Sequence, residues 1–171
     1  MSERDTQIAT ICECIDSTFS YFLWCEDFVA VIAEDIIYVD KASDVISHAT
    51  LLHSFLALRK LDDFFGAVPP KIDDLAWDRL GLNKAAILGG ARTTLLDKVD
   101  RMNINKGVAH MTEKLTLGAD SEVDLLRIIE NSICVFERLI CELRKIDVDN
   151  EAKHCLDNTE EFIQRIGSRH E

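Results

Sequence analysis

Apolar residues recur at steps of three and four through most of the chain, and this spacing predicts helices rather than strands. The first series predicts one long helix from about Asp5 to Tyr38, which would span about 50 Å, so we expect a kink or break within it. Extra apolar residues widen its stripe beyond one seam, which indicates a homodimer formed through helix 1. The stripe consists of Ile8, Ile11, Ile15, Phe19, Phe22, Cys25, Val29, Ile32 and Ile36.

Four further series of this kind predict the rest of the core. Short helical segments between them, closed by Gly81 and restarted by Asn83, predict a small insert at about 67–90. Residues 1–171 should therefore form a single domain with a frayed tail at about 167–171. We predict an all-α, up-and-down bundle of four to five main helices, over about residues 5–38, 43–65, 92–115, 125–143 and 152–166.

The expected cellular location follows from the apolar runs, the first residues and the cysteines of the chain. No apolar run approaches the roughly 20 residues that a membrane span needs, and the first residues do not resemble a signal peptide. The six cysteines form no Cys-x-x-Cys pair and lie within helical patterns, which indicates buried free thiols. We therefore expect a cytoplasmic protein without a membrane partner.

The charge is strongly negative but uneven. The chain carries a net charge of −12, which argues against a surface that coats nucleic acid. The stretch from Arg79 to Lys106 is nevertheless basic, with six basic and two acidic residues. A local site for an anion is therefore possible there, such as the phosphate of an RNA or of another ligand.

Polar residues interrupt the apolar face of the predicted helix 3. Its apolar residues are Leu95, Leu96, Val99 and Met102, and carrying their face forward places Asn103, Lys106 and His110 on it. Because a buried lysine needs a partner or water, we expect this set to meet Arg59 and Asp62 or Asp63 of helix 2. Arg59 could also pair with either aspartate on its own helix.

Two interpretations of this set remain open. Nearby cations favour the neutral form of a histidine, which can serve as a base, and they can hold a phosphate. The set could equally be a polar network that fixes how helices 2 and 3 pack. Arg101 is a poor partner for His110 in the same chain, since nine residues of helix place it about 180° away.

Two stretches also resemble HEPN-like all-helical proteins of the abortive-infection type. Asn105-Lys-Gly-Val-Ala-His-Met-Thr112 is similar to the family's Arg-Asp/Asn-Lys-x-x-Ala-His-x-Asp stretch, and Leu56-Ala-Leu-Arg-Lys-Leu-Asp-Asp63 to its Leu-Ala-Arg-Leu-x-Asp helix. With the order of helices, the resemblance covers about residues 5–145. His110 and Lys106 match the family's His and Lys, whereas Asn103, Ile104 and Asn105 stand where its Arg would be expected.

The resemblance implies a dimeric bundle, because that Arg and His together cut RNA at a dimer interface in the family. Without the Arg, we predict a homodimeric interaction or regulatory module that needs no cofactor and is not a catalyst. The alternative is a metal-independent ribonuclease that uses His110 with Lys106 and either Arg59 or Arg101 of a second subunit. Asn103, Asn105, Asp62 and Asp63 would then help to bind the substrate.

Two other motifs have plainer explanations. Glu151-Ala-Lys-His154 is a single Glu-x-x-His, whereas a dinuclear carboxylate bundle uses two, so we expect no metal site. Gly89-Gly90 could present amides to a phosphate at a helix start. It lacks both the preceding strand and the following Lys-Ser/Thr of a nucleotide-binding loop, so a turn between helices is favoured.

Overall fold

The computed structural model describes residues 2–19, 40–66, 75–90, 92–113 and 125–167. In these ranges the chain is helical and has no strand, which confirms the predicted all-α class. None of the described helices has both the length and the apolar character needed to cross a bilayer. The elements are α1 (Glu3–Thr18), α2 (Asp40–Phe64), a 3-10 turn (Trp77–Leu80), α3 (Lys84–Leu88), α4 (Lys98–Glu113), α5 (Leu125–Leu143) and α6 (Asn150–Gly167).

Helix α1 is the centre of the packing, with α2 and α6 against it and a smaller contact with α5. Its predicted apolar positions Ile8, Ile11 and Ile15 are fully buried. Phe19, just after the helix, places its ring edge-on against Phe136 and Phe162, with centroids 5.9 and 5.6 Å apart. Each fully buried side chain of this size contributes about 1.5–3 kcal/mol to folding, so α1 anchors the described core.

Helix α1 begins with a capping box. The Ser2 hydroxyl accepts a hydrogen bond from the backbone N–H of Asp5, and the Asp5 carboxylate accepts one from the N–H of Ser2. The Ser2 hydroxyl also donates to Asp5 Oδ2 at 2.5 Å, and this bond, followed by the one from the N–H of Ser2, is the main cause that lowers the pKa of Asp5. Asp5 Oδ1 also accepts from the N–H of Asp149, 3.2 Å away, and so ties the start of α1 to the turn before α6.

The end of α1 agrees with the prediction, whereas the start of α2 does not. Helix α1 ends at Thr18, where the N–H of Phe19 bonds to the carbonyl of Asp16 at 3.1 Å, and this is a break of the kind expected within predicted helix 1. The rest of predicted helix 1, residues 20–39, lies outside the described residues. The turn predicted at residues 40–43 is wrong, because α2 is already helical from Asp40 and passes through the expected cap at Ser43.

The insert follows the prediction closely where it is described. Gly81 ends the 3-10 turn with φ of 69°, a conformation that glycine adopts without strain, and Asn83 caps α3 through a 3.1 Å hydrogen bond from the N–H of Ala86. Lys84 donates to the carbonyl of Phe65 and lies over the Trp77 ring. The insert is thereby fastened to the end of α2.

Helices α5 and α6 complete the core and contact each other. In the predicted apolar series of α5, the side chains of Leu125 and Ile129 lie outside the described part of the structure. Of the others, Phe136, Ile140 and Leu143 are buried, as predicted, and Ile133 is half-buried. The buried positions of α6 are Ala152, Leu156, Thr159, Ile163 and Ile166. The predicted frayed tail, beyond residue 167, lies outside the described residues.

Candidate functional site

Helix α4 begins six residues later than predicted, at Lys98 instead of Arg92. Asp97 caps it, since its Oδ1 accepts hydrogen bonds from the N–H groups of Asp100 and Val99, both at 2.8 Å. The N–H of Asp100 is the main cause that holds the pKa of Asp97 below its usual value. Residues 93–96 form bends before the cap, so the predicted helix start at Arg92 is wrong.

This late start changes which face of α4 is buried. Val99 and Met102 are 58% and 48% exposed, whereas Ile104 is 1% exposed and Asp100 is buried. The predicted face was extrapolated from Leu95 and Leu96, which precede the helix and therefore do not set its phase. The prediction that Lys106 is buried is consequently wrong: Lys106 and Asn105 are exposed, and Asn103 is half-buried.

Asp62 of α2 meets Arg101 of α4, which was not the expected partner. Its Oδ2 lies 2.6 Å from Arg101 Nε, and its Oδ1 accepts from the backbone N–H of Leu96 at 2.9 Å. Arg101 Nη2 in turn donates to the carbonyl of Leu96 at 3.3 Å. These three hydrogen bonds form a closed ring, which we call the Asp62 ring. The side chain of Asp62 is 2% exposed and that of Arg101 is 28% exposed.

Asp100, the residue before Arg101 on α4, is bonded to α5 instead of α2. Asp100 is buried, and its Oδ1 accepts from Arg127 Nη2 of α5 at 2.5 Å. Arg92, one of the basic residues of the predicted anion site, donates to the carbonyl of Asn131 of α5 at 3.5 Å. Some basic side chains of this stretch thus bond to other groups of the protein. In addition, Asp97 and Asp100 line the same 320 Å³ cleft as Arg92.

The other predicted site residues whose side chains are described lie outside the three hydrogen bonds of the Asp62 ring. Arg59 is exposed and lines, with Asp63 and His53, a groove of about 300 Å³ between α1 and α2. Lys106 is not among the residues that line that groove. The backbone of α4 continues as a helix through His110 to Glu113, but the side chain of His110 lies outside the described part of the structure.

A second polar site, between α1 and α6, was missed by the sequence analysis. Asp16 lines a cleft of about 510 Å³ there, which we call the Asp16 cleft, and its Oδ2 accepts from the Thr159 hydroxyl at 3.2 Å. Its Oδ1 is shielded from solvent and has no hydrogen-bond partner in the described structure. A signal was present in the sequence, because Asp16 follows the buried Cys12 by one helical turn and so falls beside the apolar stripe.

Other candidates from the sequence have structural roles or no described site. The N–H groups of Gly89 and Gly90 both donate to the carbonyl of Ala85 at 3.0 Å, so neither is free for a phosphate. Among the described residues no three His, Cys, Asp or Glu side chains are placed to hold a metal. The five described cysteines are free thiols, but Cys134 and Cys141 are exposed, contrary to the prediction that all are buried.

Comparisons with known proteins do not identify a relative. No protein-family model, curated protein or solved structure matches this chain. The resemblance of residues 105–112 to the HEPN-like motif therefore stays a prediction from the sequence.

Proposed function

We propose that this protein is a cytoplasmic, HEPN-like helical interaction module that forms a homodimer and does not catalyse a reaction. The Asp62 ring is the observation that supports this proposal most strongly. An acid–base or phosphate-binding site needs groups that are free to meet a substrate. Both oxygens of Asp62 and the Nε of Arg101 are instead bonded within the protein.

The exposure of Lys106 supports the same proposal. Groups that stabilise charge in a reaction act in sites that exclude water. The ammonium of Lys106 is instead exposed on the surface of α4. Among the described candidates, Asp62 and Arg101 are thus bonded to protein groups, whereas Arg59, Asn105 and Lys106 are open to solvent.

Exposed apolar side chains are consistent with a role in binding other proteins. Val99 and Met102 on α4, and Leu56 on α2, are large apolar residues that the described structure leaves partly open to solvent. The homodimer itself rests on the sequence of predicted helix 1. Its apolar width is greatest around Trp24 and Phe28, which lie outside the described residues.

The oligomeric state tests the proposed module directly. Light scattering across micromolar concentrations should give the mass of a dimer, and Trp24→Ser with Phe28→Ser should give the mass of a folded monomer. Met102→Ser is the matched control, since it removes one exposed apolar side chain outside helix 1, and it should remain dimeric. A wild-type monomer at every concentration would contradict the proposed homodimer.

A metal-independent ribonuclease is the second candidate. The observation in its favour is that Arg59 and Asn105 are exposed and so could reach RNA. The pure protein and His110→Ala should be incubated with single-stranded RNA in the presence of a metal chelator. We expect both proteins to show only the background rate of RNA cleavage. Cleavage by the wild type that is lost in His110→Ala would mean that the protein is a ribonuclease and not the proposed interaction module.

A further inference from the structure

Two cysteines lie on the solvent face of α5. Cys134 and Cys141 are exposed free thiols, although free cysteine is among the residue types that proteins most often bury. They are seven residues apart, so they lie on one line along the helix, about 10 Å from each other. The residues two positions before and after each cysteine are all buried: Ser132, Phe136, Leu139 and Leu143. Both thiols therefore point away from the core of their own chain.

The charges beside the two thiols form an acidic flank and a basic flank. At 100° per residue, Glu137 lies about 60° to one side of Cys134, with Glu130 on the same side, and Arg138 lies about 40° to the other. These three residues are exposed and have no ion pair with a described residue. The insert lies on the basic side, where a Cβ on Gly89 would be 3.3 Å from Arg138 Nη1, and it leaves both thiols exposed.

A second copy of α5 complements this face when the two helices run parallel about a two-fold axis. Each residue on the axis then meets its own counterpart, so Cys134 faces Cys134 of the partner subunit and Cys141 faces Cys141 of the partner subunit. Packed helices are about 8–10 Å apart and each Cα lies about 2.3 Å from its helix axis, so facing Cα atoms come within about 6 Å, as a disulfide requires.

The charges favour this parallel arrangement over an antiparallel one. In the parallel pair the acidic flank of each helix lies along the basic flank of the other, so Glu137 meets Arg138 of the partner subunit twice. In an antiparallel pair the like flanks would lie together, and Glu137 would face Glu137 of the partner subunit. Like charges that face each other across an interface disfavour that pairing.

We propose that the outer face of α5 pairs with a second copy of this chain and that oxidation joins the copies through one disulfide at Cys134 and one at Cys141. The contact is confined to one helix of each copy, whereas stable interfaces usually bury more than about 1,000 Å², so the pair is weak until the disulfides form. Disulfides of this kind in a cytoplasmic protein respond to the redox state. The pairing does not use predicted helix 1 and therefore does not rest on the proposed homodimer.

The oxidant is a low-molecular-weight disulfide such as glutathione disulfide. The thiolate of Cys134 in one copy attacks glutathione disulfide, forms a mixed disulfide and releases one glutathione. The thiolate of Cys134 of the partner subunit then attacks the protein sulfur of that mixed disulfide and displaces the second glutathione. Two protein thiols become one disulfide, and one glutathione disulfide becomes two glutathiones. The same exchange at Cys141 closes the second bond.

Non-reducing gel electrophoresis in glutathione buffer tests the pairing. With micromolar protein and millimolar glutathione, thiols that meet only by chance end on glutathione, whereas thiols held together end on each other. We expect a covalent dimer without a ladder of larger species, because the two-fold pair uses both thiols of each copy. Trypsin cuts after Arg127, Arg138 and Arg144, so the two cysteines fall in separate peptides. Mass spectrometry should find each peptide linked to its own copy.

Variants identify the residues that make the contact. Cys134→Ser and Cys141→Ser should each still give dimer, at a lower yield, and the variant with both substitutions should give none. Arg138→Glu sets acidic groups against each other and should lower the dimer yield by about threefold or more. Glu137→Arg combined with Arg138→Glu exchanges the flanks and should restore the yield. Lys153→Glu makes the same charge change on the exposed surface of α6 and should dimerise as the wild type does.

The gel detects covalent linkage alone, so its outcome is separate from light scattering of the helix 1 homodimer in the presence of a reducing agent. Absence of a covalent dimer in the wild type, or an equal dimer yield from the variant without both cysteines, would overturn the proposal. Peptides that link mainly Cys134 to Cys141, or an exchange of the flanks that leaves the yield as low as in Arg138→Glu, would also overturn it.

Discussion

Asp62 and Asp16 are two aspartates that lie between helices, and they differ in how many of their carboxylate oxygens have a hydrogen-bond donor. Asp62 is enclosed by α2 and α4, and each of its oxygens has a described donor. Asp16 lies between α1 and α6, and its Oδ1 has none in the described structure. A carboxyl group within a helical bundle is therefore not evidence of a functional site by itself. The informative property is whether the rest of the chain completes its hydrogen bonds.

The largest expected effect tests which face of α4 makes the contact with α2. Ile104→Ala should lower the free energy of unfolding by about 3 kcal/mol, because it removes a fully buried side chain and leaves a cavity. Met102→Ala, two residues earlier on the exposed face, should change it by less than about 0.5 kcal/mol. Chemical denaturation of both variants measures the difference. Similar losses would mean that the face of α4 is assigned incorrectly.

A smaller effect is expected at the cap that sets the start of α4. Asp97→Ala should cost about 1 kcal/mol of stability, because the N–H groups of Val99 and Asp100 lose their acceptor. Asp97→Asn keeps an acceptor oxygen and should retain most of that stability. Because the pKa of Asp97 is lowered in the folded state, its contribution is present above the unfolded pKa of 3.8 and is lost as the pH falls through the lowered folded value. Denaturation of the three proteins at neutral and acidic pH would show both effects.

The smallest effect concerns the pH dependence at Asp16. Because its pKa is raised in the folded state, stability from this group should fall as the pH rises from 3.8 through the raised folded value. Asp16→Asn does not titrate at this position, so its free energy of unfolding should lack this decrease with pH. At neutral pH the variant should be as stable as the wild type or more stable by up to about 0.5 kcal/mol. Unfolding free energies of both proteins as a function of pH test the sign. A stability that rises with pH because of Asp16 would mean that the carboxylate has a partner after all.

The helical architecture could be predicted from local signals. The apolar steps in α1, α5 and α6 identify their buried faces, and Asn83 and Gly81 mark the boundaries of the insert by local chemistry. These features depend on residues within a few positions of one another, which is the range that periodicity and capping rules cover.

The candidate site could not be predicted to the same degree because its contacts cross the chain. The N–H of Leu96 bonds to Asp62, 34 residues away, which holds residues 93–96 out of the helix that their sequence favours. The phase of α4 then depends on the cap at Asp97, so the faces assigned to Lys106 and Val99 were wrong. Asp16 pairs with Thr159, 143 residues later, and no local pattern contains that contact.

The stability of two matched variants tests the central claim, which concerns the hydrogen bonds of the two aspartates. Both oxygens of Asp62 accept hydrogen bonds that stabilise the fold, whereas one oxygen of Asp16 has no donor in the described structure. The free energies of unfolding of Asp62→Asn and Asp16→Asn should be measured by chemical denaturation at pH 7 beside the wild type. We predict a loss of about 2–3 kcal/mol for Asp62→Asn, since Arg101 would keep a weakened partner in a largely buried pair, and no loss for Asp16→Asn. Equal losses in the two variants, or an Asp62→Asn variant as stable as the wild type, would contradict the claim.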